Sequence, residues 1–248
     1  MAMSYGTIQS GVRHEFSRTY NIYCHPRNCM RPLVLWGGTG QAVVLDEFVS
    51  RLGCEVVAII DSDRELRSPI KGVPVFSDTD KLFAYLRKEG RTNAYFAIAI
   101  GGSAGEDRCR LSTVLKQIGL EPLTAIHPAA YVSSTSLVGE GGQIMANATV
   151  GARAELGNYV LVNTGAIVDH ECKLGQGVHV GPGATLAGLV EVGDYAFVGA
   201  GSVVLPRIRI GRNSIVGAGS IVTKDIPENV VCMGAPARVV RMSDGQKL

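Results

Sequence analysis

The sequence predicts an α/β, Rossmann-like N-terminal domain followed by a left-handed parallel β-helix built of hexapeptide repeats, and two observations carry the prediction. From residue 31 onward, short apolar runs alternate with glycine turns and amphipathic stretches, which is the rhythm of βαβ units. From residue 126 to residue 222, every sixth residue is aliphatic, which is the rhythm of a solenoid.

The first strand reads Pro32-Leu33-Val34-Leu35-Trp36 and runs into Gly37-Gly38-Thr39-Gly40, with an amphipathic helix expected over 41–52. A second apolar run, Val56-Val57-Ala58-Ile59-Ile60, ends at Asp61-Ser62-Asp63. That is roughly twenty residues beyond the glycines, the spacing of a nucleotide-binding βαβ unit. A helix over 80–89, a buried strand over 95–100 ending in Gly101-Gly102-Ser103, and a helix over 107–119 complete a small parallel α/β domain spanning 31–125. The glycine turn is not a full GxGxxG, so its weight comes from its place between strand and helix, with Asp61 and Gly101 at the ends of other strands. A ligand across the carboxyl ends of this sheet, most naturally a nucleotide, is expected; Asp61 as a plain turn former and Gln41 as a solvated helix residue are the alternatives.

The second domain, 126–248, is read from the period. Counting by six from Ile126 gives seventeen aliphatic residues in succession, ending at Val222. Only about a quarter of residues in ordinary proteins are of this kind, so the series is not chance. Two positions before each, the residue is usually small or β-branched, as at Ala148, Ala154, Ala166, Cys172, Ala184, Ser202 and Ser220, and glycine commonly follows. Each unit then supplies a short strand and a corner, and three units close one triangular coil with the aliphatic residue inside. The segment 223–236 reads as the lid on the last coil.

At 46% hydrophobic and 19% charged residues the 248-residue chain is globular. A formal net charge of +2 with dispersed Lys and Arg argues against a nucleic-acid or polybasic membrane partner. Six cysteines without CxxC spacing indicate neither a zinc site nor a disulfide framework, and a reducing cytoplasm is the simpler setting. No run of eighteen apolar residues and no signal-like start occur, so neither membrane spanning nor secretion is expected. Residues 1–30 are polar and aperiodic and read as a flexible or loosely docked extension.

Two histidines lie well inside the repeats at positions that are not the inward aliphatic ones. His170 stands in Asp169-His170-Glu171, where a neighbouring carboxylate would take one ring proton, fix the tautomer and increase the basicity of the other nitrogen, as a general base requires. His179 is nine residues on, half a coil away, so the two face different sides of one prism and would meet only across a subunit interface. A corner histidine satisfied by backbone carbonyls is the alternative for either. Cys172 beside them occupies the small inward position and reads as core rather than as a nucleophile.

Over about 31–241 the chain resembles the bacterial nucleotide-sugar acetyltransferases that include the sialic acid O-acetyltransferase type and the bacillosamine-pathway N-acetyltransferase. The stretches carrying the resemblance are Asn163-Thr164-Gly165-Ala166-Ile167-Val168-Asp169-His170-Glu171-Cys172, then His179-Val180-Gly181-Pro182-Gly183-Ala184 and Ala187-Gly188. The resemblance implies a nucleotide-linked amino sugar held by the N-terminal domain, acetyl-CoA held by the β-helix between adjacent subunits of a homotrimer, and no metal. It implies His170 as the base acting on the sugar amine, with Glu171 raising its basicity, and places His179, Gly188, Ala200 and Ala218 along the acetyl-CoA. It places Gly38, Thr39, Gly40, Gln41, Asp61, Ser62 and Gly101 around the sugar nucleotide. Two departures stand out: Gln41 occupies a position where the family usually has histidine, and Ser62 one where it sometimes has an acid. The expected reaction is direct N-acetylation of an amino-deoxy sugar, with a backbone N–H near Gly188 stabilising the oxyanion. O-acetylation of a sugar hydroxyl, a γ-type carbonic anhydrase and a non-catalytic sugar-nucleotide-binding scaffold are the rivals; the carbonic anhydrase would need three histidine ligands per zinc.

Overall fold

The computed structural model describes residues 30–243, so the expectation for the N-terminal extension lies, but for Met30, outside the described residues. The first domain is a five-stranded parallel sheet in the order β3-β2-β1-β4-β5, formed by β1 (Arg31–Trp36), β2 (Cys54–Ile60), β3 (Val75–Phe76), β4 (Tyr95–Ile98) and β5 (Glu121–Pro122). β3 and β5 are two residues long, too short to leave a hydrophobic pattern, and both lie at sheet edges. Three helices, α1 (Gly40–Val49), α2 (Thr79–Lys88) and α3 (Gly105–Gln117), cover the sheet. α2 starts where the Lys81 N–H donates to Asp78 Oδ1 at 2.8 Å and ends in Arg87 and Lys88, a residue order that suits both ends of the helix dipole.

The second domain is a three-sided prism. Parallel neighbours such as Leu161 and His179, or Val162 and Val180, are eighteen residues apart (179 − 161), one full coil. The repeat residues from Val138 onward are buried, as are the small residues two positions earlier, and together they form one continuous core. Each such aliphatic side chain contributes roughly 1.5–3 kcal/mol of burial, which holds the stack together although each strand is only two residues long. Buried serines of the last coils find backbone acceptors: Ser202 Oγ donates to Gly217 O at 2.9 Å and Ser214 Oγ to Pro227 O at 2.6 Å. The lid extends past 236: Val230–Gly234 pairs in parallel with Ile215–Val216 and antiparallel with Ala237–Met242.

The three sides differ in what they present outward. One bears Gln143, Leu161, His179, Phe197 and Ile215; the next bears Tyr131, Thr149, Ile167, Thr185, Val203 and Ile221; the third bears Leu137, Glu155, Lys173, Glu191 and Arg209. We call them the docking, apolar and charged faces. The N-terminal domain packs on the docking face, where Met145 and Leu161 join the core around Leu33, Ala42 and Ala97. Polar groups at this junction are paired: Gln143 Nε2 donates to Ile98 O at 2.7 Å, and Gln41 Nε2 donates to Gln143 Oε1 at 2.9 Å.

Candidate active site

His170 sits at the corner between the apolar and charged faces, between the strands Ile167–Val168 and Lys173–Leu174. Asp169 Oδ1 accepts the His170 backbone N–H at 2.7 Å, and Glu171 turns the chain with a left-handed φ of 57°. Glu171 Oε2 lies 3.3 Å from His170 Nδ1. A carboxylate only accepts, so Nδ1 is the donor in this contact, and in the neutral ring the lone pair is then on Nε2. The other carboxylate oxygen meets Arg153 Nη1, one coil earlier, at 3.5 Å. The imidazole side chain is 51% exposed and therefore open to a substrate.

Gly188 follows His170 by one coil (188 − 170 = 18) and shares its corner. A Cβ at Gly188 would overlap Nε2, Cε1 and Cδ2 of His170, so the ring rests on a bare backbone. The Gly188 N–H finds no hydrogen-bond partner among the described residues, whereas the equivalent N–H of His170 is taken by Asp169. An unpaired donor beside a base is the pair of groups acyl transfer calls for. Cys172 is buried behind them with Sγ 3.2 Å from Ala187 O, and burial pushes its thiol up to about 11, as suits a core residue rather than a nucleophile.

The corner between the docking and apolar faces is different. Its left-handed positions are Asn147 in the first coil and then Gly165, Gly183, Gly201 and Gly219, and the flanking Pro182, Ala200 and Ala218 are exposed. The other two corners hold the same backbone with Arg153, Glu171, Leu189, Arg207, Tyr159 and Tyr195. The conformation therefore does not by itself demand glycine here. No atom lies within 4 Å of where a Cβ would stand at any of the four glycines, which leaves a smooth open rail past Ala200 and Ala218.

The sugar-nucleotide candidates gather at the carboxyl ends of β1, β2 and β4, beside the docking face. Thr39 caps α1 in extended conformation with no side-chain cap, and Thr39, Gly40 and Ser62 are exposed; the amides of Gly40 and Gln41 have no partner among the described residues and can meet an anion, whereas that of Ala42 donates to Thr39 O at 2.9 Å. Gly38 and Asp61 are instead paired with each other: the Gly38 N–H donates to Asp61 Oδ2 at 2.9 Å, while Asp61 Oδ1 accepts from Asp63 N at 3.0 Å. Gln41 is committed to Gln143 at the domain junction.

His179, expected from the sequence to lie against the thioester across a subunit interface, makes its contacts in this structure within its own chain. It faces outward from the prism, but into its own N-terminal domain, and is only 4% exposed. Nδ1 lies 3.0 Å from Gly102 O and Nε2 3.2 Å from Asn163 Nδ2, and the ring packs on Phe197. In this chain its side chain is taken up by the domain contact, which no local pattern announces because Gly102 is 77 residues away. Arg108, which the sequence places only within the helix expected over 107–119, belongs to the same junction. Among the described residues no group of three His, Cys, Asp or Glu is placed to hold a metal ion, and no helix is long and apolar enough to cross a membrane.

A hexapeptide prism with a carboxylate-held histidine beside a free amide defines an acyltransferase of the β-helix class. Residues 190–224 match the family described as bacterial transferase hexapeptide (six repeats). The structure is similar to that of PerB, the GDP-perosamine N-acetyltransferase of Caulobacter crescentus, solved with CoA and GDP-perosamine, at 38% identity over 86% of this chain and 98% of that chain with a TM-score of 0.77. It is also similar to the acetyltransferase domain of PglB from Neisseria gonorrhoeae, solved with acetyl coenzyme A (31% identity, 85% and 99% covered, TM-score 0.73), and to WeeI from Acinetobacter baumannii (25% identity, 85% and 100% covered, TM-score 0.73). No curated protein sequence matches it significantly. The chain belongs to the hexapeptide-repeat nucleotide-sugar acetyltransferases of the bacillosamine-pathway type.

Proposed function

We propose that the chain transfers the acetyl group of acetyl-CoA to the amine of a nucleotide-linked amino-deoxy sugar, specifically a 4-amino-4,6-dideoxy sugar, in one direct step without a metal or an acyl-enzyme. The observation that carries this reading is the half-exposed His170 ring, held by Glu171 at 3.3 Å and resting on Gly188, whose N–H is unpaired. Nε2 removes the amine proton as nitrogen attacks the thioester carbonyl. The Gly188 N–H receives the oxyanion, and the C–S bond breaks as the imidazolium returns its proton to sulfur. The ligands solved with PerB and with the PglB domain support the two substrate classes.

The same reading assigns acetyl-CoA to the glycine rail with Ala200 and Ala218, and the sugar nucleotide to Thr39, Gly40, Ser62 and Gly101 around the Gly38–Asp61 turn. Within one chain these parts are separated: the rail and His170 lie at opposite edges of the apolar face, and the nucleotide crevice abuts the docking face. A homotrimer with sites between subunits unites them. The apolar face supports this, since Tyr131, Ile167, Val203 and Ile221 are 63%, 40%, 37% and 40% exposed. The charged face carries instead an exposed Arg209–Glu191 ion pair at 3.2 Å.

A CoA-release assay with acetyl-CoA and a panel of UDP-, GDP- and dTDP-linked 4-amino-4,6-dideoxy sugars, run on wild type and His170→Ala, tests the proposal. Turnover of an amino sugar that collapses in the variant is expected. Turnover only with hydroxyl acceptors would replace it by O-acetylation, and activity untouched by His170→Ala would remove the base.

A further inference from the structure

Arg108 on α3 is 1% exposed and is the bulkiest fully buried side chain among the described residues. Its guanidinium donates to Ile100 O at 3.2 Å, Tyr159 O at 3.3 Å and Gly177 O at 2.5 Å. All three partners are backbone carbonyls: one lies just past β4 in the N-terminal domain, and two belong to the corner between the charged and docking faces. Burying a cation without a carboxylate is costly, and a site that does so uses the planar fork of arginine to fix several acceptors at once. Two residues further along the loop, Gly102 O is held by His179. Gly105 and Gly177 meet so closely that a Cβ on either would overlap the other's backbone. Burial and the nearby Arg108 charge push His179 down to about 3, so it stays a neutral partner. The segment from Ile100 to Gly105 is thus pinned to the β-helix at three points, and Gly101 lies between the first two.

We propose that Arg108 is a positioning residue for the nucleotide site: it fixes the loop carrying Gly101 against the prism and so sets where the sugar nucleotide lies relative to the acetyl donor. This rests on the reading of the crevice at Gly101 as the nucleotide site. The rail that we assign to acetyl-CoA makes no contact with Arg108, so the effect should fall on one substrate only.

The test is calorimetric binding of GDP, UDP and dTDP, and separately of CoA, to the full chain as wild type, Arg108→Met, Arg108→Lys and Gly101→Val. In Arg108→Met the Kd of the bound nucleoside diphosphate is expected to rise about tenfold, with partial recovery in Arg108→Lys, while the Kd of CoA changes less than about twofold. Equal loss of both ligands, or none, in folded Arg108 variants overturns the positioning role. If Arg108→Met does not fold, Arg108→Lys alone carries the comparison. Gly101→Val separates the two layers. Unchanged diphosphate binding there, or no binding of any diphosphate by wild type, overturns the crevice assignment and the positioning role with it. Weakening by Gly101→Val without weakening by Arg108→Lys overturns the positioning role alone.

Discussion

The imidazole of His170 rests on the bare Cα of Gly188, one coil further along the same corner. Ring and amide are thereby brought together by two stacked coils, whose backbones lie roughly 4.8 Å apart. Gly188→Ala should push the half-exposed ring aside without disturbing the prism, because the atoms it displaces belong to a side chain that can rotate. A fall in kcat of about a hundredfold with an unchanged melting temperature is expected; an unaffected kcat would mean that the contact has no part in the reaction.

Glu171→Gln keeps the shape of the corner and removes the charge beside Nδ1. Steady-state kinetics should show kcat lowered roughly 10- to 100-fold. Arg153→Ala should alter it by less than about twofold, since its ion pair with Glu171 joins side chains that are 76% and 41% exposed. A larger effect of Arg153 would reverse the ranking of the two partners.

Asparagine adopts the left-handed corner conformation in this chain at Asn147, Asn213 and Asn229. Gly201→Asn therefore adds a side chain to the rail at little cost to the fold. The KM for acetyl-CoA should rise about tenfold while the KM for the sugar nucleotide holds; an unaltered acetyl-CoA KM would place CoA elsewhere.

His179 gives stability a pH dependence of known sign. Folded, it resists protonation down to about pH 3; unfolded, it titrates near 6.5. The folded pKa is depressed, so the neutral ring's contribution is complete above 6.5 and is lost as pH falls toward 3. Between pH 7.5 and 5.0 this one group should remove about 2 kcal/mol. Urea unfolding at the two pH values, with His179→Asn as the control lacking that increment, measures it.

Ile167→Lys places a charge on the apolar face between Thr149 and Thr185. If the proposed trimer forms through this face, sedimentation should show wild type as a trimer and the variant shifted toward monomer, with activity lost in parallel; a trimer unaffected by the substitution would move the interface to another side.

Much of this was legible because it is periodic. Buried residues such as Val150, Leu156 and Val162 announce the prism through their six-residue spacing, and Asp169-His170-Glu171 stands out as three polar residues at one corner. What stayed hidden is non-local. Arg108 is simply one position of the helix expected over 107–119 until Gly177, 69 residues away, is brought beside it. Gln41 likewise reads as a nucleotide contact or a solvated helix residue, and its partner Gln143, 102 residues away, is not visible in the local pattern. The rail is a third kind of case: its glycines resemble any others until the same backbone turn is seen carrying tyrosine and arginine at the neighbouring corners.

The eighteen-residue coil has a consequence for how such a chain can change length. Inserting or deleting a whole coil beyond the lowest contacts of the N-terminal domain leaves every face in phase and moves the lid by one strand spacing. Any other number of residues rotates the later coils onto the wrong side and turns core valines toward water. The corner that carries His170 thus works as a graduated scale, along which the distance from His170 to the lid can shift only in whole notches.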